Sequence, residues 1–535
     1  MQDHTYEEDN DKARLGNIIS KQELLLKEKE NLLQDKDIII NALQADNEDL
    51  RLKVQQLLNE LYGQKSEKMP NAESPIDELP IIDEADVTPE EEAVITEAEE
   101  IIKVPAYDRI KPKRKSLPDF LPREITVYDL PLEKQLCSCG HQLHCIGEDV
   151  SEKLDYVPAK VKVLQSRIKK YGCRKCEIGI IKATAPIEFL PKSIAAPGLL
   201  ANVILAKYSD HLPLYRQESI WQRIGVDIAR STLCNWVLNA AAKLQVMIPL
   251  MRAEIIQTNY ARADETPVQV LEENKLRTSK RAYMWLFATG RINQAIIVYE
   301  FAMSRAGVVA EEFFAGFNGY LQSDGFSGYN KLGNSQDITR VGCMAHARRK
   351  FVAIVKAAKQ AGAAHHAVAK FAKLYKIEAD IKEKKLSIEQ IYQYRQQYSK
   401  PIVEEFAKWL LQKKEQSLPK GPLGKAIYYC LEQWRTLTVY LDYGFLDIDN
   451  NFAERCIRPF AIGRKNWLFM GNERGGIAAS VFFSLIESAK ANDLNTYAYL
   501  RLLMSELPLI DQTNQEELIA LLPHKIEKSR LAEYL

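Results

Sequence analysis

The sequence contains no apolar run that approaches the roughly 20 residues of a membrane-spanning helix. Its opening stretch, MQDHTYEEDNDKAR, is polar and acidic and lacks the apolar segment of a secretory signal. Cysteine is scarce, and its odd count of nine does not suit a framework of paired disulfides. These absences argue against membrane proteins and disulfide-rich secreted proteins. We therefore expect a cytoplasmic protein of several domains, as its 535 residues allow.

A net charge of either sign is also missing, because 72 Lys and Arg residues balance 72 Asp and Glu residues. As an average, this argues against a simple basic nucleic-acid binder. The distribution is uneven, since the segment from Met69 to Ile102 holds twelve acidic residues and no Lys or Arg. The rest of the chain carries 72 basic against 60 acidic residues, a net charge of +12. The net charge of zero is therefore the sum of an acidic segment and a basic remainder of the chain.

The N-terminal region has a helical pattern. Between Ile18 and Leu61 there is neither Pro nor Gly, and apolar residues recur every seven positions. This heptad pattern predicts a coiled coil that joins copies of the chain, with Asn47 at a core position that would fix the register. The alternative is a long helix packed on its own chain. Residues 69–118 follow as a charged linker with scattered Pro, a composition that cannot bury enough surface to fold alone.

Two cysteine pairs about 35 residues apart indicate a zinc ribbon, in which four thiolates surround one ion. The predicted ligands are Cys137, Cys139, Cys173 and Cys176. Three further residues lie close enough to replace a member of the first pair, namely His141, His144 and Cys145. The metal need do no chemistry in this module.

The same module is basic. From Lys160 to Lys182 there are eight basic residues and one acid, so this surface is a candidate for binding DNA phosphates. The candidate contacts are Lys169, Lys170 and Arg174. A purely structural zinc domain is the alternative interpretation.

The segment LPLYRQESIWQRIGVDIARSTLCNWVLNAAAK predicts two helices joined by a turn at Gly225. Ser231 or Thr232 would cap the second helix, at whose start Arg230 is a candidate DNA contact. The apolar face of that helix is formed by Leu233, Trp236 and Val237. The pattern fits a helix-turn-helix, and an ordinary helical hairpin fits it almost as well.

Three acids lie in suggestive positions. Asp264 interrupts a strand-like run, YARADETPVQVL, which two further β-rich runs follow as a meander. Asp324 ends a short predicted strand, and Glu454 lies on a predicted helix among basic residues. Two-metal phosphoryl transfer requires carboxylates of this kind, because Mg²⁺ prefers oxygen ligands. Each acid also has a structural alternative, as a turn cap or as an ion-pair partner.

Several blocks of the sequence resemble the transposases of the insertion sequence 66 family (transposase C type, with an Asp-Asp-Glu site). They include ADETPVQVL, LQSDGFSGYN, GCMAHARRKF and DNNFAERCIRPFAIGRKNWLF. LYGQKSEKM, KYSDHLPLYRQE and SLIESAKANDLNTYAYLRLL occur in the same order as in that family. The likeness extends from about Leu58 to Leu503. The one-residue gap between Cys137 and Cys139 departs from the family pattern and leaves the first ligand pair open.

The resemblance implies a multidomain α/β protein whose ribonuclease-H-like catalytic domain carries a helical insertion. It further implies that Asp264, Asp324 and Glu454 bind Mg²⁺ or Mn²⁺. Asp449 lies near Glu454 but outside the helical block. The Cys343-x-x-His346 pair is given a structural role and no metal. The basic residues expected to hold DNA beside the site are Arg458, Arg464 and Lys465.

The expected organisation has six parts. They are a coiled coil (1–68), a charged linker (69–118), a zinc-binding domain (119–190), a helix-turn-helix-like region (191–250), the catalytic domain (251–475, with the insertion at about 352–433) and a C-terminal helical region (476–535).

The function that the resemblance implies is a transposase that cleaves insertion-sequence ends and joins their 3′-hydroxyls to target DNA. Its partners would be terminal repeats, target DNA, a second copy of the chain and accessory proteins of the element. The expected location is the bacterial cytoplasm, at the nucleoid. The alternative is a catalytically inactive, zinc-containing DNA-binding regulator derived from a transposase.

Overall fold

The structure is a computed structural model that describes residues 161–172, 180–271, 279–290, 295–357 and 362–535. Four isolated helical positions are also described, namely Lys27, Lys29, Lys36 and Leu50. The rest of the predicted coiled coil, the charged linker and the four predicted zinc ligands lie outside the described residues. The chain divides into two compact units, Glu100–Ala185 and the combination of Met1–Glu99 with Pro186–Leu535.

In the smaller unit, strands β1 (Lys170–Gly172) and β2 (Ile180–Lys182) pair in antiparallel fashion, with Gly172 opposite Ile180. The connection between these strands contains Cys173 and Cys176 and is outside the described residues, as is Arg174. Lys169 is exposed directly before β1.

The larger unit begins with four helices, which are α1 (Pro197–Tyr208), α2 (Leu214–Arg223), α3 (Arg230–Leu244) and α4 (Met247–Ile256). The predicted helix pair is α2 and α3, and Gly225 between them has a φ of +81°, which favours glycine. The apolar face predicted for α3 is buried.

The cap predicted for α3 is wrong. Ala229 precedes the helix, and Ser231 and Thr232 lie inside its first turn. The backbone N–H of Arg230 instead donates to Glu218 Oε1 of α2 at 2.8 Å. A side chain of the preceding helix therefore satisfies a free N–H at the start of α3, which local sequence cannot reveal.

A five-stranded mixed sheet follows, with the order β5-β4-β3-β6-β7. Its strands are β3 (Tyr260–Leu271), β4 (Ser279–Thr289), β5 (Ile297–Ala302), β6 (Gly319–Gln322) and β7 (Ile338–Val341). The first three form the predicted antiparallel meander, whereas β6 and β7 run parallel to β3. Two short helices connect these strands, α5 (Val308–Phe313) and α6 (Asn330–Gly333).

Helices occupy the chain between β7 and the segment that carries Glu454, as expected for the insertion. They are α7 (Met344–Ala357), α8 (Ala363–Glu383), α9 (Ile388–Tyr394), α10 (Lys400–Glu415) and α11 (Pro422–Thr438). Their apolar faces form a core of their own around Phe351, Phe371 and Phe406.

The C-terminal part returns to the sheet with α12 (Asn451–Trp467), α13 (Glu473–Ala491), α14 (Thr496–Glu506) and α15 (Gln515–Ile519). Helix α13 lies along β5, where the backbone N–H groups of Ile297 and Tyr299 donate to Ser488 and Ser484 Oγ at 2.8 and 2.7 Å. These hydroxyls satisfy strand donors at the edge of the sheet, which would otherwise remain open to pairing.

Candidate catalytic site

Strands β3 and β6 bring two of the predicted acids to one region of the sheet. The strands pair in parallel, with Arg262 opposite Gln322. Asp264 and Asp324 each lie two residues beyond that pair, so the two carboxylates occur at equivalent positions on neighbouring chain segments. Asp264 does not interrupt its strand as predicted. It lies inside β3, because the pairing with β4 continues to Leu271 after the pairing with β6 has ended.

The turn after β6 fixes the backbone at Asp324. The Asp324 carboxylate accepts the backbone N–H of Phe326 at 2.9 Å, and its carbonyl accepts from Arg340 at 2.7 Å. Gly325 has no room for a side chain, since a Cβ there would lie 2.6 Å from the Tyr429 hydroxyl. The glycine after Asp324 is therefore required by a close approach of α11.

Helix α12 supplies the third predicted acid. Glu454 lies in its first turn, directly after a loop that contacts β3. Asn450 in that loop donates its side-chain N–H to the Ala263 carbonyl at 2.9 Å, one residue before Asp264. This hydrogen bond ties the start of α12 to the part of β3 that carries the acid. The prediction that Glu454 is helical is confirmed.

The electrostatics of Asp264 show that the three acids are close enough to interact. Burial raises its pKa well above the usual range, and the negative charges of Glu265, Glu454 and Asp324 raise it further. The one opposing contribution is the backbone N–H of Glu265, which donates to Asp264 Oδ1 at 2.9 Å. Buried like charges of this kind are stabilised by a bound cation.

The neighbouring acid, Glu265, has a different environment. Its carboxylate accepts from the Tyr329 hydroxyl and from Arg305, both at 2.6 Å. The side chain of Glu265 is only 2% exposed. Because both oxygens are already engaged, Glu265 is a structural acid beside Asp264. Sequence alone does not distinguish Glu265 from Asp264, because the two acids are adjacent in ADETP.

Two residues of α7 contact Glu454 and were also missed as site residues. Arg349 forms an ion pair with Glu454 Oε2, and His346 Nδ1 lies 3.4 Å from Glu454 Oε1. His346 and Arg349 are three residues apart and therefore share a helix face. That spacing in HARRKF was the available signal. Cys343 completes a group with His346 and Glu454 whose ligand atoms all lie within 4.8 Å of one another.

Asp449 and Asp447 belong to a separate network around Arg262. The guanidinium of Arg262, which is 1% exposed, forms an ion pair with Asp447 and donates to the Asp449 carbonyl at 3.3 Å. The Asp449 carboxylate accepts from the Tyr375 hydroxyl at 2.9 Å and from the Asn451 side chain at 3.0 Å. These acids hold the loop before α12 in place.

The basic residues predicted beside the site differ in their surroundings. Arg464 is partly buried and donates to the Pro267 carbonyl and to Thr266 Oγ1, so it ties α12 to β3. Burial lowers the pKa of Arg464. Lys465 is exposed next to it, Arg458 is partly buried on the same helix, and Arg230 is exposed at the start of α3.

The donor set fits a divalent cation. Mg²⁺ and Mn²⁺ bind carboxylate oxygens, and Asp264, Asp324 and Glu454 supply three carboxylates. The charges of Asp324 and Glu454 repel that of Asp264. Glu454 Oε1 is buried without a hydrogen-bond partner. The fit therefore rests on charge and donor chemistry.

Comparisons with known proteins match the chain to profiles of one family. The profile described as "Transposase IS66 family" matches residues 192–478, and "zinc-finger binding domain of transposase IS66" matches residues 134–177. "IS66 C-terminal element" matches residues 484–524, and "Transposase C of IS166 homeodomain" matches residues 49–126.

Two relatives from Sinorhizobium fredii are similar over most of their length. The uncharacterized protein y4jD is 35% identical over 419 residues, which cover 76% of this chain and 81% of y4jD. The uncharacterized protein y4hP is 30% identical over 475 residues, which cover 84% of each chain.

The fold and these matches define a transposase, a class of DNA-processing protein. The chain belongs to the IS66 transposase family, as its resemblance to that family predicted, and it carries DNA-binding and zinc-finger domains of that family. Within the part of the chain that the structure describes, no helix is both long enough and apolar enough to cross a bilayer.

Proposed function

We propose that this transposase cleaves the ends of an insertion sequence and joins the freed 3′-hydroxyls to target DNA at one site formed by Asp264, Asp324 and Glu454. The observation that carries the proposal is the repulsion at Asp264, whose pKa is raised by desolvation and by the charges of Glu265, Glu454 and Asp324. A cluster in which one carboxylate is repelled by its acidic neighbours is suited to metal-assisted phosphoryl transfer. The five-stranded mixed sheet fits the ribonuclease-H-like domain expected for this chemistry.

In this proposal the three carboxylates hold Mg²⁺ or Mn²⁺. When bound, the metal would activate the attacking oxygen and neutralise charge on the leaving oxygen. The Asn450 contact with β3 holds α12, and hence Glu454, at a fixed position relative to Asp264. Lys465 and Arg458 would hold the phosphate backbone beside the acids, and Arg230 would contact DNA from α3.

The zinc-finger match supports Zn²⁺ binding by the N-terminal module. We propose Cys137, Cys139, Cys173 and Cys176 as its ligands. Strands β1 and β2 flank the second pair in the chain, as in a ribbon hairpin. Lys169, Lys170 and Arg174 would contact DNA phosphates there. The N-terminal coiled coil would join two chains, so that two element ends can be paired.

The test is the variant Asp324→Asn, compared with the native chain on DNA that carries the terminal repeats of the element. Strand cleavage in Mg²⁺ should be lost, whereas binding measured by gel shift should be kept, because Asn preserves the turn and removes only the charge. Retained cleavage would contradict the role of Asp324. Equal failure of the native chain to cleave would favour the alternative, a DNA-binding regulator.

A further inference from the structure

Beside the proposed catalytic acids lies a group with different donor chemistry. Cys343 directly precedes α7, His346 lies in its first turn, and Glu454 approaches from α12. Their ligand atoms all lie within 4.8 Å of one another. A tetrahedral zinc site needs separations of about 3.3–3.8 Å, given bonds of about 2.0–2.3 Å. Small side-chain movements would therefore bring the three atoms to a common ion.

Two of these ligand atoms contact each other between α7 and α12. His346 Nδ1 and Glu454 Oε1 are buried, lack hydrogen-bond partners and lie 3.4 Å apart. That distance is the one expected for two ligands of the same tetrahedral ion. Buried polar atoms are normally satisfied, so two facing atoms without hydrogen bonds form a candidate cation site.

The sulfur of Cys343 is buried, and this burial together with the charges of Asp449 and Glu454 raises the pKa of the thiol well above its ordinary value. It accepts the backbone N–H of Asn450 at 3.2 Å and the backbone N–H of His346 at the start of α7. N–H donors and a helix N-terminus both favour a thiolate. A bound metal would supply the remaining stabilisation, since coordination deprotonates a thiol.

We propose that Cys343, His346 and Glu454 bind a zinc ion that withholds Glu454 from the catalytic metals and so inhibits the transposase. A thiolate, an imidazole and a carboxylate with one open position are a ligand set for Zn²⁺, whereas Mg²⁺ requires oxygen ligands. The inhibitory consequence rests on the proposed function, because it needs Glu454 to act in catalysis. The zinc-binding part does not.

Arg349 would compete with this zinc ion for contact with His346 and Glu454. Its guanidinium lies 3.2 Å from His346 Nε2 through one nitrogen and forms an ion pair with Glu454 Oε2 through another. The Arg349 guanidinium thus lies beside two of the proposed zinc ligands, His346 and Glu454. Zinc at His346 Nδ1 would place a proton on Nε2, which then repels the guanidinium. Zinc binding and the Arg349 contact with His346 are mutually exclusive.

The first experiment measures metal binding by the full chain. The chain is stripped of metal and titrated with Co²⁺, whose thiolate charge-transfer and d–d absorption report sulfur ligands in a tetrahedral site. The native chain should take up about one equivalent more than Cys343→Ser. The matched control is Cys430→Ser, because Cys343 and Cys430 are 1% and 0% exposed. This control should bind as the native chain does, since it keeps all three ligands.

Two further variants keep the test decisive if Cys343→Ser does not fold. His346→Gln should weaken the additional Co²⁺ site by at least about 100-fold, because even outer-shell partners of a metal are worth about 10- to 100-fold in affinity. Arg349→Gln should strengthen it by removing the competing cation. The zinc inference is overturned if folded variants of Cys343 and His346 take up as much Co²⁺ as the native chain.

The second experiment measures cleavage in Mg²⁺ while Zn²⁺ is added. The zinc concentration that halves activity, relative to the zinc-free rate of each protein, should be at least about tenfold higher for Cys343→Ser than for the native chain. Equal concentrations would overturn the inhibitory role. Failure of the proposed function would be seen in a separate result. Asp324→Asn would then still cleave DNA in Mg²⁺, whichever result the Co²⁺ titration gives.

Discussion

Two groups of carboxylates contact the first half of β3, and they are neutralised in opposite ways. Asp447 and Asp449 surround Arg262, and the Asp449 carboxylate also accepts from Tyr375 and Asn451. Asp264, by contrast, accepts one backbone N–H, and the charges of Asp324 and Glu454 add to the repulsion it feels. Both oxygens of Asp449 thus accept hydrogen bonds from the protein, although burial still raises the pKa of this acid, whereas the Asp264 carboxylate has one donor and acidic neighbours.

This difference separates structural from functional acids better than sequence position does. Asp449 and Glu454 are five residues apart, and either could serve as the third acid on composition alone. Their contacts differ, because both oxygens of Asp449 accept hydrogen bonds, whereas Glu454 Oε1 accepts none and only Oε2 pairs with Arg349. The same reasoning separates Asp264 from its neighbour Glu265, which Arg305 and Tyr329 engage.

The largest effect should come from Asp264→Asn. We expect cleavage to fall by at least about 10³-fold, because metal ions supply several kcal/mol of transition-state stabilisation. The metal-free variant should nevertheless be more stable than the native chain at neutral pH, since a repelled charge is removed. Cleavage assays and chemical denaturation measure the two effects. If Asp264→Asn were less stable than the native chain as well as less active, the contrast between the two groups of carboxylates would be contradicted.

The next largest effect should come from Arg262, which contacts both Asp447 and Asp449. Arg262→Met should lower the free energy of unfolding by about 3–5 kcal/mol, because it leaves buried acceptors without their charged partner. Arg281→Met is the matched control on exposed β4 surface and should cost less than about 0.5 kcal/mol. Urea denaturation measures both. Equal stabilities would show that the Arg262 network does not hold the loop before α12.

A pH effect should single out Asp449. Burial raises its pKa to about 6 from the ordinary value of 3.8. Between these values the folded chain holds a proton that the unfolded chain releases, so native stability falls as pH rises from about 4 to about 6 and then levels off. The change relative to Asp449→Asn should be about 2–3 kcal/mol. A difference between the two proteins that stays constant over this window would contradict the assignment.

The smallest effects should distinguish two neighbouring basic residues of α12. Arg464→Met should cost about 1 kcal/mol of stability, because its hydrogen bonds to Pro267 and Thr266 are lost. Lys465→Met should leave stability unchanged and reduce the salt dependence of DNA binding by about one phosphate contact. Thermal denaturation and binding at several salt concentrations measure these effects. Reversed roles would show that Arg464 faces the DNA.

The sequence predicts the architecture of the larger unit well where the signal is local. The meander, the strand before Asp324 and the helix of Glu454 follow from short periodic runs. The predicted cap of α3 is wrong because the backbone N–H of Arg230 donates to Glu218, a residue of another helix. Arg349 and Glu454 are far apart in sequence, and only the return of α12 to the sheet makes them neighbours.

The central claim is that Asp264, and not Asp449, lies in a cluster that needs a metal. Mn²⁺ binding by the full chain, followed by electron paramagnetic resonance, tests it directly, since Mn²⁺ prefers oxygen ligands. We predict that Asp264→Asn weakens Mn²⁺ binding by at least about tenfold and that Asp449→Asn changes it by less than about twofold. Equal affinities of the native chain and Asp264→Asn, or a loss confined to Asp449→Asn, would contradict the account.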